Sequence, residues 1–130
     1  MPKTITSHFE NENWNEVPNE PWGESKLSNT SLDKTFTGEI VGTSKVESIM
    51  LRLPDGPMAY VGIERFDVKL DGKTGGFILL HDATMTEGAR ASTLRILPGS
   101  GTGELAGITG TGEITPEHDF NLTYDLQADG

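Results

Sequence analysis

Met58-Ala59-Tyr60-Val61-Gly62-Ile63-Glu64-Arg65-Phe66-Asp67-Val68-Lys69-Leu70 is followed by Asp71-Gly72-Lys73-Thr74-Gly75-Gly76, and then by Phe77-Ile78-Leu79-Leu80-His81-Asp82-Ala83-Thr84-Met85. Two runs rich in apolar, β-branched and aromatic residues flank a Gly-rich turn, which reads as two strands joined by a tight connection. Strand side chains alternate between faces. Tyr60, Gly62, Glu64 and Phe66 therefore share one face, and Val61, Ile63 and Arg65 the other. Phe77, Leu79, His81, Ala83 and Met85 share a face of the second run. Neither face of the first strand is plainly polar. That suits a small barrel whose outer wall also packs against another subunit, so a homo-oligomer is expected.

The rest of the chain carries the same signature. Sixteen Gly and seven Pro punctuate it too often for long helices. Strands are expected at Lys3 to Phe9, Leu27 to Phe36, Gly38 to Val41, Val46 to Leu53, Ala91 to Leu97, Glu104 to Ile114 and Phe120 to Leu126. Pro54-Asp55-Gly56-Pro57 and Glu87-Gly88 read as turns, and Gly99 to Gly103 as a Gly-rich corner. Eight or nine short strands with turn signals between them predict an all-β sandwich or barrel. Residues 10–25 are polar, with Trp14, Trp22, Pro18 and Pro21, and read as a loop over one barrel end. The whole span 1–130 reads as one domain.

Composition narrows the function classes. Ten Lys and Arg against 20 Asp and Glu give a net charge of −10, and no three basic residues stand together. Phosphate backbones are bound by clustered cations, so neither nucleic acid nor an anionic membrane is an expected partner. There is no cysteine, which removes disulfides, thiol nucleophiles and Cys-based metal sites. The opening lacks an apolar signal core, and no run approaches a membrane span. A cytoplasmic protein is the expectation.

Few residues point to chemistry. His8, His81 and His118 match no metal-binding spacing. No metal and no cofactor is expected, a site built from His81, Glu64 and a further carboxylate being the weaker alternative. Gly99-Ser100-Gly101-Thr102-Gly103 is followed by Glu104 rather than Lys, so a strand-to-strand turn is favoured over a phosphate cradle. Glu64 is mid-strand among apolar neighbours, where a carboxylate needs a partner or a function. His81 faces the same choice. If both point inward from neighbouring strands, they could hydrogen-bond. Trp14, Tyr60 and Tyr124 are candidate walls and hydroxyls of a ligand site, with core packing as the plainer reading.

Trp14-Asn15-Glu16, Val61 to Arg65, Gly76 to His81, Pro98 to Gly107 and Leu122-Thr123-Tyr124 together resemble a family of small bacterial proteins of unknown function, grouped structurally with the allene oxide cyclase barrel. The resemblance covers nearly the whole chain, and its most specific part is Pro98 to Gly107. It implies a closed, eight-stranded antiparallel barrel of calycin-like shape. It implies no activity, and no catalytic residue is carried over.

Three readings of function follow. The first is a barrel that binds a small, partly apolar molecule in its lumen, using Trp14, Tyr60, Glu64, His81 and Tyr124. The second is a cofactor-free isomerase or cyclase with Glu64 and His81 as the acid–base pair. The third is a structural or interaction protein with a plugged lumen. The first is favoured, because a pocket needs fewer coincidences than an acid–base pair.

Overall fold

The Met58–Leu70 and Lys73–Thr86 strands pair as an antiparallel hairpin over their whole length, from Leu70↔Lys73 to Met58↔Met85. In the computed structural model, which describes residues 2–126, this hairpin closes a barrel. The strands are β1 (Lys3–Pro18), β2 (Lys26–Gly38), β3 (Ile40–Arg52), β4 (Met58–Leu70), β5 (Lys73–Thr86), β6 (Ala89–Ile96), β7 (Thr102–Gly103), β8 (Ile108–Ile114) and β9 (Asp119–Leu126). Around the barrel the order is β4-β3-β2-β1-β9-β8-β6-β5, and β5 returns to β4. All pairings are antiparallel. The two-residue β7 is an extra bridge on β5, so the closed wall has eight strands. The expected all-β closed antiparallel barrel is the observed fold. Residues 1 and 127–130 of the expected 1–130 domain lie outside the described residues.

The expected loop at 10–25 needs correction. β1 runs to Pro18 and β2 begins at Lys26, so most of the segment is strand. Polar composition marks exposure here rather than a loop, because this part of β1 rises beyond the short β8 and β9 as an open, solvated edge. Its alternation is interrupted by a bulge between Glu12 and Asn15, where two residues oppose Leu32 alone. Asn13 takes a left-handed conformation there, φ 57°, which Asn tolerates better than most residues. Further small corrections join Gly38 to Val41 with Val46 to Leu53 into one β3, and shorten the Glu104 to Ile114 strand to Ile108–Ile114.

The interior divides into two halves. The lower half is apolar: Phe66 stacks on Phe77 at 4.5 Å between ring centroids, and contacts Phe36 and Phe120 at 5.3 and 5.7 Å. Ile5, Ile40, Leu70, Leu79, Ile108 and Leu122 fill the space around them. Residues 98–107 seal this end. Leu105 is fully buried, Ser100 Oγ accepts from the Ile78 amide at 3.0 Å, and Glu104 Oε1 accepts from the Thr74 amide at 2.9 Å. The Gly-rich segment thus tethers a plug to β5.

Gly75 and Gly76, expected in the turn, belong to β5. The plug explains their identity. A Cβ on Gly75 would stand 2.1 Å from the Thr102 carbonyl oxygen. Gly75→Ala is expected to lower stability by at least about 1–3 kcal/mol, since backbone rather than a yielding side chain fills the space. Urea denaturation reads the loss; an unchanged midpoint would contradict the packing described.

Candidate functional site

The upper half of the lumen is built from small and polar inward positions. One rung across four strands reads Thr30↔Ser48↔Gly62↔His81. Gly62 has no side chain, and a Cβ there would meet the Ser48 Cβ at 2.6 Å. Beneath this rung Glu64 is wholly buried and fully engaged. His81 Nε2 lies 2.7 Å and Lys34 Nζ 3.4 Å from Glu64 Oε1. Ser44 Oγ donates to Oε2 at 2.5 Å. Burial by itself would push the Glu64 carboxyl up. The His81 hydrogen bond, the Lys34 and His81 charges and the Ser44 hydroxyl outweigh it and hold the group below its ordinary value.

Lys34 is buried too, and its ammonium stands 4.5 Å over the Phe9 ring. His81 Nδ1, the other ring nitrogen, is buried without a hydrogen-bond partner. Nε2 faces the Glu64 carboxylate, so Nδ1 is the ring nitrogen left over.

Above this cluster lies a cavity of about 330 Å³. Its wall includes Trp14, Lys34, Met50, Tyr60, His81 and Arg90, with His118 on the β8–β9 turn. A second space of about 180 Å³ adjoins it, sharing Met50, Tyr60 and Arg90 and adding Met58 and Met85. Tyr60 is half-buried; desolvation pushes its phenol up, against the opposing influence of the nearby Arg90 charge. Another inward carboxylate near the mouth, Glu16, is held by Arg52 at 2.6 Å and Ser28 at 2.6 Å, which together keep it below its ordinary value.

Of the five expected ligand residues, the structure brings four to this end. Tyr60, His81 and Trp14 line the cavity, and Glu64 supports it from below without reaching its surface. The bulge sends Trp14 inward, where plain alternation from Phe9 would turn it outward. Tyr124 is not among them. It lies at the opposite end, where its hydroxyl bonds the Asp71 carboxylate in the β4–β5 turn. Lys34, Ser44, Met50 and Arg90 were not singled out by the sequence. Lys34 alternates with Phe36 and Leu32, which is the signal that could have found it.

A larger concavity, about 790 Å³, lies on the outer wall and is floored by outward-facing Val17, Ile49, Val61, Ile63 and Leu80. Among the described residues no cluster of three or more His, Cys, Asp or Glu is placed to hold a metal ion. No helix of the described residues is long and apolar enough to cross a membrane.

These features define a class: a closed eight-stranded barrel, plugged at one end and hollow at the other, with a buried Glu–His–Lys cluster beneath the hollow. The family described as a protein of unknown function, DUF3224, matches residues 5–127. The chain belongs to that family. It is also similar to a solved structure of a DUF3224 protein with unknown function from Shewanella oneidensis MR-1. The two share 31% identity and a TM-score of 0.84 over 98% of this chain and 99% of that one. No curated protein matches the chain.

Proposed function

We propose that the protein binds a small, partly apolar molecule in the upper lumen. The observation that carries this reading is the cavity of about 330 Å³ between Trp14, Tyr60 and His81. Ligand sites are typically about 300–1,000 Å³, mostly apolar, with a few convergent polar groups. An eight-stranded barrel has room for one small ligand where its inward side chains are small. Here the small inward side chains of Thr30 and Ser48 leave that room, and Met50, Met58 and Met85 supply adaptable apolar walls. The Glu64–His81–Lys34 cluster fixes the floor.

Native mass spectrometry of the purified protein, followed by denaturation, tests the reading. A retained small molecule is expected, lost on denaturation and absent from a Met50→Trp variant, whose larger side chain occupies the space that both lumen cavities share. Wild-type protein free of any retained mass, and unable to take up apolar compounds from a mixture, would count against it.

Two secondary readings each have an observation of their own. An isomerase or cyclase is favoured by His81, a residue of the cavity wall whose Nδ1 has no hydrogen-bond partner, with Glu64 orienting the ring through Nε2. Turnover of the retained molecule by wild type, lost in His81→Gln, would establish it. A homodimer is favoured by the outer wall. The rung Glu47↔Ile63↔Leu80↔Arg95 has a carboxylate, within 3.3 Å of Arg65, at one end and a guanidinium at the other. A second copy related by a twofold axis would set Glu47 against Arg95 while Ile49, Val61 and Ile63 were covered. The same native spectrum reads the copy number, and a monomer at micromolar concentration would remove this reading.

A further inference from the structure

The charges around the hollow run against those of the chain. The protein carries 20 Asp and Glu against 10 Lys and Arg, yet no Asp or Glu lines either of the two adjoining spaces in the upper lumen. Lys34, Arg90, His81 and His118 do. The two inward carboxylates nearby are already neutralised, Glu64 by Lys34 at 3.4 Å and Glu16 by Arg52 at 2.6 Å. That leaves Arg90 as a surplus cation. Among the described residues no carboxylate forms an ion pair with it, and the phenol of Tyr60 lines the same two spaces beside it. Arg90 borders both spaces, at the rim where the apolar annex of Met58 and Met85 meets the main cavity.

We infer that the ligand carries one anionic group, held at the rim by Arg90 and the Tyr60 hydroxyl, with its apolar body against Trp14 and the methionines. This rests on the lumen-binding reading above. A guanidinium holds an oxyanion through two parallel charge-assisted hydrogen bonds, stronger than those between neutral groups. The Tyr60 phenol adds a neutral donor beside it. A cationic ligand would meet Lys34 and Arg90 with no carboxylate left to receive it, so the lining discriminates by sign as well as by shape. The acidic exterior repels anions at long range. Selection for an anion is therefore a local property of the rim, not of the protein's net field.

The test uses two fluorescent probes that differ by one charged group: anilinonaphthalene sulfonate, an anion, and N-phenylnaphthylamine, its neutral counterpart. Binding is followed by energy transfer from Trp14 in full-length protein carrying Trp22→Phe. Trp22 is 79% exposed, outside the cavity, and its removal leaves Trp14 as the lone donor. The sulfonate is expected to bind one per chain, at least tenfold tighter than the neutral probe. Arg90→Gln is expected to abolish that preference while leaving the neutral probe's affinity within about twofold. Lys69→Gln on the outward face of β4 makes the same change in net charge and is expected to preserve it.

Equal affinity for the two probes overturns the inference and leaves the lumen reading standing. So does an equal loss in the Arg90 and Lys69 variants. Failure of both probes to bind within reach of Trp14 overturns the lumen reading, and the inference with it.

Discussion

Glu64→Ala is expected to lower the stability of the protein by about 3–5 kcal/mol, the usual cost of removing one partner from a buried ion pair. The carboxylate has no exposed surface and satisfies three groups at once: His81 Nε2, Lys34 Nζ and Ser44 Oγ. Without it the Lys34 ammonium stays buried with only the Phe9 ring for compensation. Lys34→Met alone should cost a similar amount, because it strands the charge of Glu64 instead. The pair Lys34→Met with Glu64→Leu should recover the part of the loss that comes from an unpaired buried charge, while His81 Nε2 and Ser44 Oγ still lose their acceptor. Urea denaturation of the wild type, Lys34→Met, Glu64→Leu and the double variant completes the cycle. Additive losses in the double variant would show that the two groups do not act as a pair.

The pH dependence has a definite sign. The Glu64 carboxyl is held below its unfolded value, so its contribution is present in full above the unfolded carboxylate range. It is lost as pH falls through the depressed folded value. The stability gap between wild type and Glu64→Gln should therefore be widest near neutrality and narrow in acid. A gap that widened on acidification would reverse the assignment.

Phe66→Ala is expected to cost about 3–5 kcal/mol as well, by a different mechanism. Phe66 is the hub of the lower core, stacked on Phe77 at 4.5 Å and in contact with Phe36 and Phe120. Its removal leaves a void enclosed by wall strands that cannot collapse, because each is hydrogen-bonded on both sides. The loss should exceed that of Val61→Ala on the outer wall, expected within about 0.5 kcal/mol. Comparable midpoints for the two variants would show that the lower lumen is not packed as described.

The two variants also separate the halves of the barrel. Phe66 lies two residues below Glu64 on β4, so its loss opens apolar space under the cluster. Bound probe should then respond to Phe66→Ala through altered affinity for the apolar body, with no change in the preference for the anion. Arg90→Gln acts on that preference alone.

The fold was legible where its signals are local. The Met58–Leu70 strand matches its expected bounds because alternation, the Pro-Asp-Gly-Pro turn before it and the Asp-Gly turn after it are all short-range. The same holds for the strand over Phe120 to Leu126, which the structure extends by one residue to Asp119. Residues 10–25 read as a loop because composition reports solvent exposure, and most of this segment is exposed strand. Gly75 and Gly76 read as a turn, yet they are strand glycines that make room for a plug about 26 residues onward in the chain.

The site was legible in part. Glu64 stood out because a carboxylate amid apolar strand residues needs an explanation within the fold, and His81 because it shares a face with Phe77 and Leu79. Their expected hydrogen bond is present at 2.7 Å. Lys34 gave a weaker signal, and Arg90 none. Tyr124 looked equivalent to Tyr60 by alternation but bonds Asp71 at the plugged end.

By itself the sequence determined the β class, the turns at Pro54-Asp55-Gly56-Pro57, Asp71-Gly72 and Glu87-Gly88, the acidic surface and the absence of thiol chemistry, because each follows from residue type and short-range spacing. The tertiary structure decided which end of the barrel is hollow, which inward carboxylates are neutralised and which cation is left over. Those depend on side chains meeting across 17 to 36 residues of chain, and on one bulge at Asn13 that turns Trp14 into the lumen. Strand alternation encodes the side of the wall that a residue faces. Only barrel closure, with its stagger and its plug, fixes the height at which it stands and the charge it meets there.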